Sequence, residues 1–246
     1  MGSLTPMAPQ YQILRIPTSS PHLSDLITKF RDTKLEALKC SPSEWIYQYA
    51  SESGHPLSVW KARLARQNTI LVCVATQDTS LSAEDALLQG EWVGFAVVRG
   101  PFAFEDYYAV PEMEQPVPED PDVETRWHIY DLYTFPAHRG RGIATKLGAA
   151  GMAAVGEITA ALSDKTKQRA RVRLFCNPKN TALVDTYKRL GFEQSGRVTL
   201  KEGLEANGMA ESIPARDAMS SEHFKRVFDT RIGIAMERVI DIAHKL

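Results

Sequence analysis

The chain has 246 residues, 43% of them hydrophobic and 24% charged, with a formal net charge of −1. This balance suits one soluble globular domain and excludes the strong basic excess of an extended nucleic-acid surface. Cys40, Cys73 and Cys176 are scattered without metal-ligand spacing, so no metal site is expected and a reducing, intracellular compartment is.

No apolar run approaches the roughly 18 residues needed to cross a bilayer. The opening MGSLTPMAPQ lacks the charged-then-apolar order of a signal peptide, which makes the cytoplasm the expected location, with no membrane partner. Residues 1–10 read as a flexible N-terminus and 11–246 as a single domain with insertions.

In chain order, Tyr11–Ile16 alternates like a short strand. Leu23, Leu26, Ile27 and Phe30, then Leu35, Leu38, Trp45, Ile46 and Tyr49, recur near helical period across 21–50, with Pro42 starting a second helix or sitting in its first turn. Ser58–Arg66 is a further short helix with Trp60 and Leu64 on its apolar side. Thr69–Ala75 and Trp92–Arg99 are apolar and rich in β-formers, as central strands are. Residues 103–125 carry eight acidic side chains from Glu105 to Glu124 and no basic one; an insertion of this kind is either a solvated loop or a cover that attracts a cation.

A strand over 126–135 ends at Pro136, and Arg139-Gly140-Arg141-Gly142-Ile143-Ala144 leads into a long helix, Ile143–Leu162. Ile143, Leu147, Ala150, Gly151, Ala154, Ile158 and Leu162 form its apolar stripe. Arg171–Cys176 reads as a strand, 181–190 as a helix, 201–223 as a polar insertion, and Ile232–Ile240 as a last strand.

A glycine-rich turn from strand to helix presents unpaired N–H groups at the positive end of a helix dipole, which is a phosphate cradle. Spacing excludes two familiar versions. Thr145 stands where the dinucleotide fingerprint needs its last small residue, and no Gly-Lys-Ser or Gly-Lys-Thr triplet occurs for a P-loop.

What fits is a Gln or Arg, two residues, Gly, one residue, then Gly or Ala, read here from Arg139 to Ala144. This resembles motif A of the GCN5-related N-acetyltransferase (GNAT) superfamily, whose members bind the pyrophosphate of acetyl-CoA on these amides. Downstream, Asn180, Leu183, Tyr187, Gly191 and Phe192 resemble its motif B, in which the asparagine contacts the cofactor and the tyrosine approaches its sulfur. Leu183 departs from the pattern, which has a small residue there.

The resemblance covers most of residues 11–240. It implies an α+β fold, a mixed, mostly antiparallel splayed sheet flanked by helices, with acetyl-CoA as co-substrate and a longer acyl-CoA as an open alternative. Leu132, Thr134, Arg139, Gly140, Arg141, Gly142, Ile143, Ala144 and Asn180 become the expected cofactor contacts. A backbone N–H of the strand before motif A commonly polarises the thioester in this fold.

Acyl transfer to an amine also needs a base for the ammonium and an acid for the departing thiolate. Tyr187, a phenol that stays protonated at neutral pH, is the expected acid. His128 shares a strand face with Tyr130 and Thr134, at the position where histone and arylalkylamine acetyltransferases carry a Glu or His, and is the expected base. Asp131, of opposite parity, reads as structural. Cys176 ends an apolar strand without an evident partner and reads as an inert thiol rather than a nucleophile.

The expected activity is acetyl transfer to a small-molecule amine by direct attack in a ternary complex. A protein lysine or N-terminal acceptor, or a CoA-binding module without turnover, are the alternatives.

Overall fold

The structure is a computed structural model. It describes residues 9–242 apart from Ile46, Tyr47, Arg66, Thr79, 109–115, Ser163, Lys165, Gly208 and 216–219, and omits the side chain of Glu211. The first eight residues of the expected N-terminal segment, Ile46, Arg66, Glu112 and Glu114 lie outside the described residues.

Seven strands form one open sheet in the order β1-β2-β3-β4-β5-β7-β6. They are β1 (Gln10–Arg15), β2 (Asn68–Thr76), β3 (Glu91–Arg99), β4 (Glu124–Thr134), β5 (Arg169–Cys176), β6 (Glu193–Thr199) and β7 (Ile232–Asp241). The helices are α1 (Leu23–Cys40), α2 (Tyr49–Ser53), α3 (Leu57–Ala65), α4 (Ala83–Gln89), α5 (Phe104–Tyr107), α6 (Ile143–Ala161), α7 (Thr181–Arg189), α8 (Leu200–Ala206) and α9 (Ser221–Phe224). This is the expected mixed sheet flanked by helices. No described helix is long and apolar enough to cross a membrane.

Packing divides the chain into two compact units, one made of the residues up to Val97 together with Asp131–Ala150, the other of Val98–Tyr130 and the chain from Gly151 on. In the first unit, β2 (NTILVCVAT) is buried along its whole length, as a central strand with two covered faces must be. β1 pairs with it antiparallel from Gln10↔Thr76 to Arg15↔Leu71.

α1 turns Leu26, Ile27, Phe30, Ala37 and Leu38 inward at helical spacing, with Lys34 in the same buried stripe. It stops at Ser41, before Pro42, which opens a single 3-10 turn (Pro42–Glu44) rather than a second long helix. The core here is aromatic: Phe30 meets Phe95 edge-on at 5.6 Å, and Trp45 lies 5.9 Å from Phe95 and 5.2 Å from Tyr133. On β3, a Cβ at Gly94 would stand 2.7 Å from the Tyr133 carbonyl, so only glycine lets this strand lie so close to the end of β4.

In the second unit, β4 and β5 pair in parallel from Glu124↔Arg169 to His128↔Arg173. β7 runs antiparallel to β5 from Arg169↔Asp241 to Cys176↔Ile234, and to β6 from Glu193↔Glu237 to Thr199↔Ile232. Gly151, Met152, Ala154, Val155 and Thr159 of α6 are buried.

Several elements were not apparent in the sequence. β6 (EQSGRVT) is the outermost strand and half-exposed, so it has no apolar alternation to betray it. The polar stretch 201–223 holds most of α8 and most of α9, helices that bury Leu204 and Phe224. α8 is opened by a reciprocal capping box between Thr199 and Glu202.

Candidate active site

The glycine loop lies in the first unit. Gly140 and Gly142 adopt φ of +75° and +72°, and a Cβ on either would meet nothing within 4 Å. The two glycines are therefore required by backbone conformation rather than by space. Lys146 N donates to the Gly142 carbonyl at 3.0 Å, which closes the first turn of α6. Among the described residues, the amides of Gly140 through Thr145 have no main-chain acceptor. They are the orphan donors of a helix start, extended by a two-glycine turn, and that is the donor set a pyrophosphate needs.

The two arginines of the loop differ. Arg139 Nε donates to the Thr134 carbonyl at 3.0 Å, and its two terminal nitrogens donate to Glu44 at 2.9 and 2.8 Å. Burial works against its charge, but the Glu44 carboxylate outweighs that and raises its pKa. Arg139 thus staples the loop to the turn after α1, with its charge answered. Arg141 is exposed, its guanidinium 5.7 Å from the Tyr11 ring, and among the described residues no carboxylate is paired with it.

Thr134, at the end of β4, is buried, and its hydroxyl has no hydrogen-bond partner among the described residues. A buried hydroxyl without a partner costs about 1–3 kcal/mol, so Thr134 Oγ1 is poised for an external polar group. Leu132 is half-buried beside it on the strand. Open loop amides, an uncompensated arginine and an orphan hydroxyl together fit a CoA diphosphate and its amide-bearing arm.

The remaining expected residues lie in the second unit. Asn180 caps α7, its Oδ1 accepting from Leu183 N at 3.2 Å, which leaves its Nδ2 as a donor. Gly191 ends this stretch at φ +78°. Tyr187 is 4% exposed, with its ring 5.8 Å from Phe192 in an edge contact.

His128 is buried, and Arg173 Nε donates to its Nε2 at 2.9 Å. Burial pushes the imidazole well below its ordinary pKa, the Arg173 charge adds to this, and a side-chain hydrogen bond to Asn207 only partly opposes it. As placed, His128 is a neutral acceptor whose Nε2 lone pair is taken. Service as a base would require Arg173 to release that bond. Cys176 is buried with its sulfur 3.9 Å from that of Met236, and burial raises the thiol pKa to about 11.

Sequence reading missed the partners that set these states. Glu44 and Arg173 carry no local motif; what marks them is a charged group on an otherwise apolar or turn segment, and their partners lie 95 and 45 residues away.

The family model described as the acetyltransferase (GNAT) family matches residues 43–192. No curated protein matches the sequence. Among solved structures, the chain is similar to a proposed acetyltransferase from Acinetobacter baylyi ADP1, at 14% identity and a TM-score of 0.54 over 97% of both chains. It is also similar to Arabidopsis thaliana NAA60 in complex with acetyl-CoA, at 13% identity and a TM-score of 0.51, over 94% of this chain and 99% of that one. At these identities the likeness is one of fold.

Proposed function

This chain belongs to the GNAT acetyltransferase family, whose co-substrate is acetyl-CoA, and from that premise we propose that it acetylates a small primary amine by direct attack. The observation that carries the reading is the 139–145 loop: two left-handed glycines, a run of open amides and the free charge of Arg141, followed by a helix.

Each residue is assigned by its own state. The amides from Gly140 to Thr145 hold the diphosphate, and Arg141 adds charge to them. The Thr134 hydroxyl, the Leu132 main chain and the Asn180 side-chain amide bind the polar groups of the pantetheine arm. Tyr187 donates its phenolic proton to the departing thiolate, which becomes the CoA thiol. His128 fixes Arg173 rather than taking a proton, because its Nε2 is engaged and its charged form is strongly disfavoured. The acceptor ammonium loses one proton to water, the neutral amine adds to the thioester carbonyl, and the second proton, shed by the new amide nitrogen, restores the Tyr187 phenol as the thiol leaves. Exposed Glu105, Asp106, Glu119, Asp120 and Asp122, with no basic residue in 103–125, favour a compact cationic acceptor through their field.

Thiol release from acetyl-CoA, measured over a panel of small amines and peptides, tests this reading. Tyr187→Phe is expected to lower kcat about 100-fold with the KM for acetyl-CoA unchanged. Saturation by peptides alone would transfer the proposal to a protein acceptor, and unchanged turnover in Tyr187→Phe would remove the acid.

A further inference from the structure

Asp131 is a non-glycine residue in the left-handed region, φ +56°, in the middle of a strand. Isolated left-handed residues in strands re-aim the main chain that follows, and they persist where their surroundings hold them. Asp131 is also where β4 passes into the first unit. Its side chain is 5% exposed although the residue as a whole is half-buried, so the part of Asp131 that meets solvent is its main chain.

What holds this residue is a buried ion pair. Lys34 of α1 sits in the helix's apolar stripe and donates its ammonium to Asp131 Oδ2, and both side chains are almost fully covered. The Lys34 Nζ lies 6.0 Å from the ring centres of both Trp45 and Trp60, within cation–π reach. Behind it, the buried Glu52 of α2 is held in a two-point bond by Arg63 of α3, at 2.6 and 3.1 Å. Burial disfavours the Glu52 charge, but Arg63 and Lys34 together keep its pKa low. Three helices therefore converge by charge on one kinked residue of β4. A pair this deeply buried is an unlikely choice for stability alone, since apolar residues of similar volume commonly do as well.

We propose that the Lys34–Asp131 pair is a positioning device: it holds the left-handed turn at Asp131 and so aims the Leu132 amide at the thioester oxygen. Leu132 and Thr134 on the same strand end are the groups already assigned to the pantetheine arm, which ends in the thioester, so the inference rests on that reading. Asp131 and Lys34 touch no substrate in this scheme and act through the backbone.

The test compares two double variants, Lys34→Met with Asp131→Gly and Lys34→Met with Asp131→Ala. Both lack the pair, but glycine adopts the left-handed turn freely and alanine resists it. The readouts are the infrared carbonyl frequency of acetyl-CoA labelled with ¹³C at the thioester carbon, and the ratio of acetyl-CoA to CoA affinities by calorimetry.

In the native protein and the glycine variant, the bound carbonyl is expected below its frequency in water. In the alanine variant it returns toward the solution value, and the affinity ratio falls about tenfold, or ~1.4 kcal/mol. Equal carbonyl shifts in both variants, retained or lost, would overturn the proposal. Should the alanine variant not fold, Lys34→Met alone answers the same question: a diminished shift supports the device and a full one refutes it. If the native protein binds neither acetyl-CoA nor CoA, the reading of the loop fails. Binding of both without a carbonyl shift refutes only this inference.

Discussion

Two buried charge clusters, one in each unit, differ in how their charges balance and do different things. In the first, Lys34 answers Asp131 and Arg63 answers Glu52, one cation to one carboxylate. In the second, Arg126 and Arg171 both pair with Glu124, Arg171 also pairs with Glu237, and the buried Arg173 acts on Glu237 through its field, so three guanidinium groups face two carboxylates. Balanced charge can fix a backbone shape. An excess of one sign sets the protonation state of its neighbours, and here it helps to keep His128 neutral.

The largest expected effect tests the balanced cluster. Lys34→Met leaves the buried Asp131 carboxylate without this cation and is expected to cost about 3–5 kcal/mol of stability in urea unfolding. Glu237→Gln in the other cluster is expected to cost less. Burial already raises the Glu237 pKa against the pull of Arg171, and the neutral amide resembles the form that burial favours. Equal losses would dissolve the distinction between the two clusters.

His128 tests the excess. Its folded-state pKa lies well below the ordinary 6.5, so near and below that pH the unfolded chain binds the proton that the folded chain refuses. Its contribution to stability is therefore complete above about pH 6.5 and is lost as pH falls, with a slope of up to about 1.4 kcal/mol per pH unit. His128→Gln keeps an acceptor for Arg173 and removes the proton site. Its stability curve between pH 7 and 5 is expected to be flatter than that of the native protein by that slope. An unchanged slope would mean that His128 titrates normally and is free to act as a base.

The same contrast between answered and open charge recurs at the glycine loop. Arg141→Ala is expected to raise the Kd for acetyl-CoA about tenfold, with a weaker salt dependence, because its charge is uncompensated. Glu44→Gln is expected to raise it less, since the amide still accepts one hydrogen bond from Arg139 and the loop keeps part of its anchor. The reverse order would make Arg139 the principal phosphate ligand.

These comparisons also mark what a sequence can carry. The loop was legible because its chemistry is local: two glycines forced to positive φ stand between an apolar strand and a helix within a few residues. The Asn180 cap and Gly191 of α7 were legible for the same reason. α8 left a readable sign, Thr199 three residues before Glu202, at the start of a stretch that otherwise reads as a polar insertion. β6 left none, because an edge strand can be polar on both faces. The charge clusters are long-range by nature. Lys34 and Asp131 are 97 residues apart, and a lysine within the apolar stripe of α1 was the one local hint that a buried partner existed.

The smallest expected effect concerns Cys176, three residues beyond Arg173 on β5. Burial neutralises both Cys176 and His128, but from opposite directions: it lowers the imidazole pKa and raises the thiol to about 11. At that value only about one thiol in 10⁴ is ionised at pH 7, too few for the thiolate to act as an acyl carrier. Cys176→Ala is accordingly expected to leave kcat within about twofold of the native value, and mass spectrometry after a rapid acid quench should find no acetyl group on this residue. A loss of more than about tenfold, or an acetylated Cys176 peptide, would mean that the positive excess of this unit reaches the thiol and stabilises its anion. Direct attack would then give way to a covalent route.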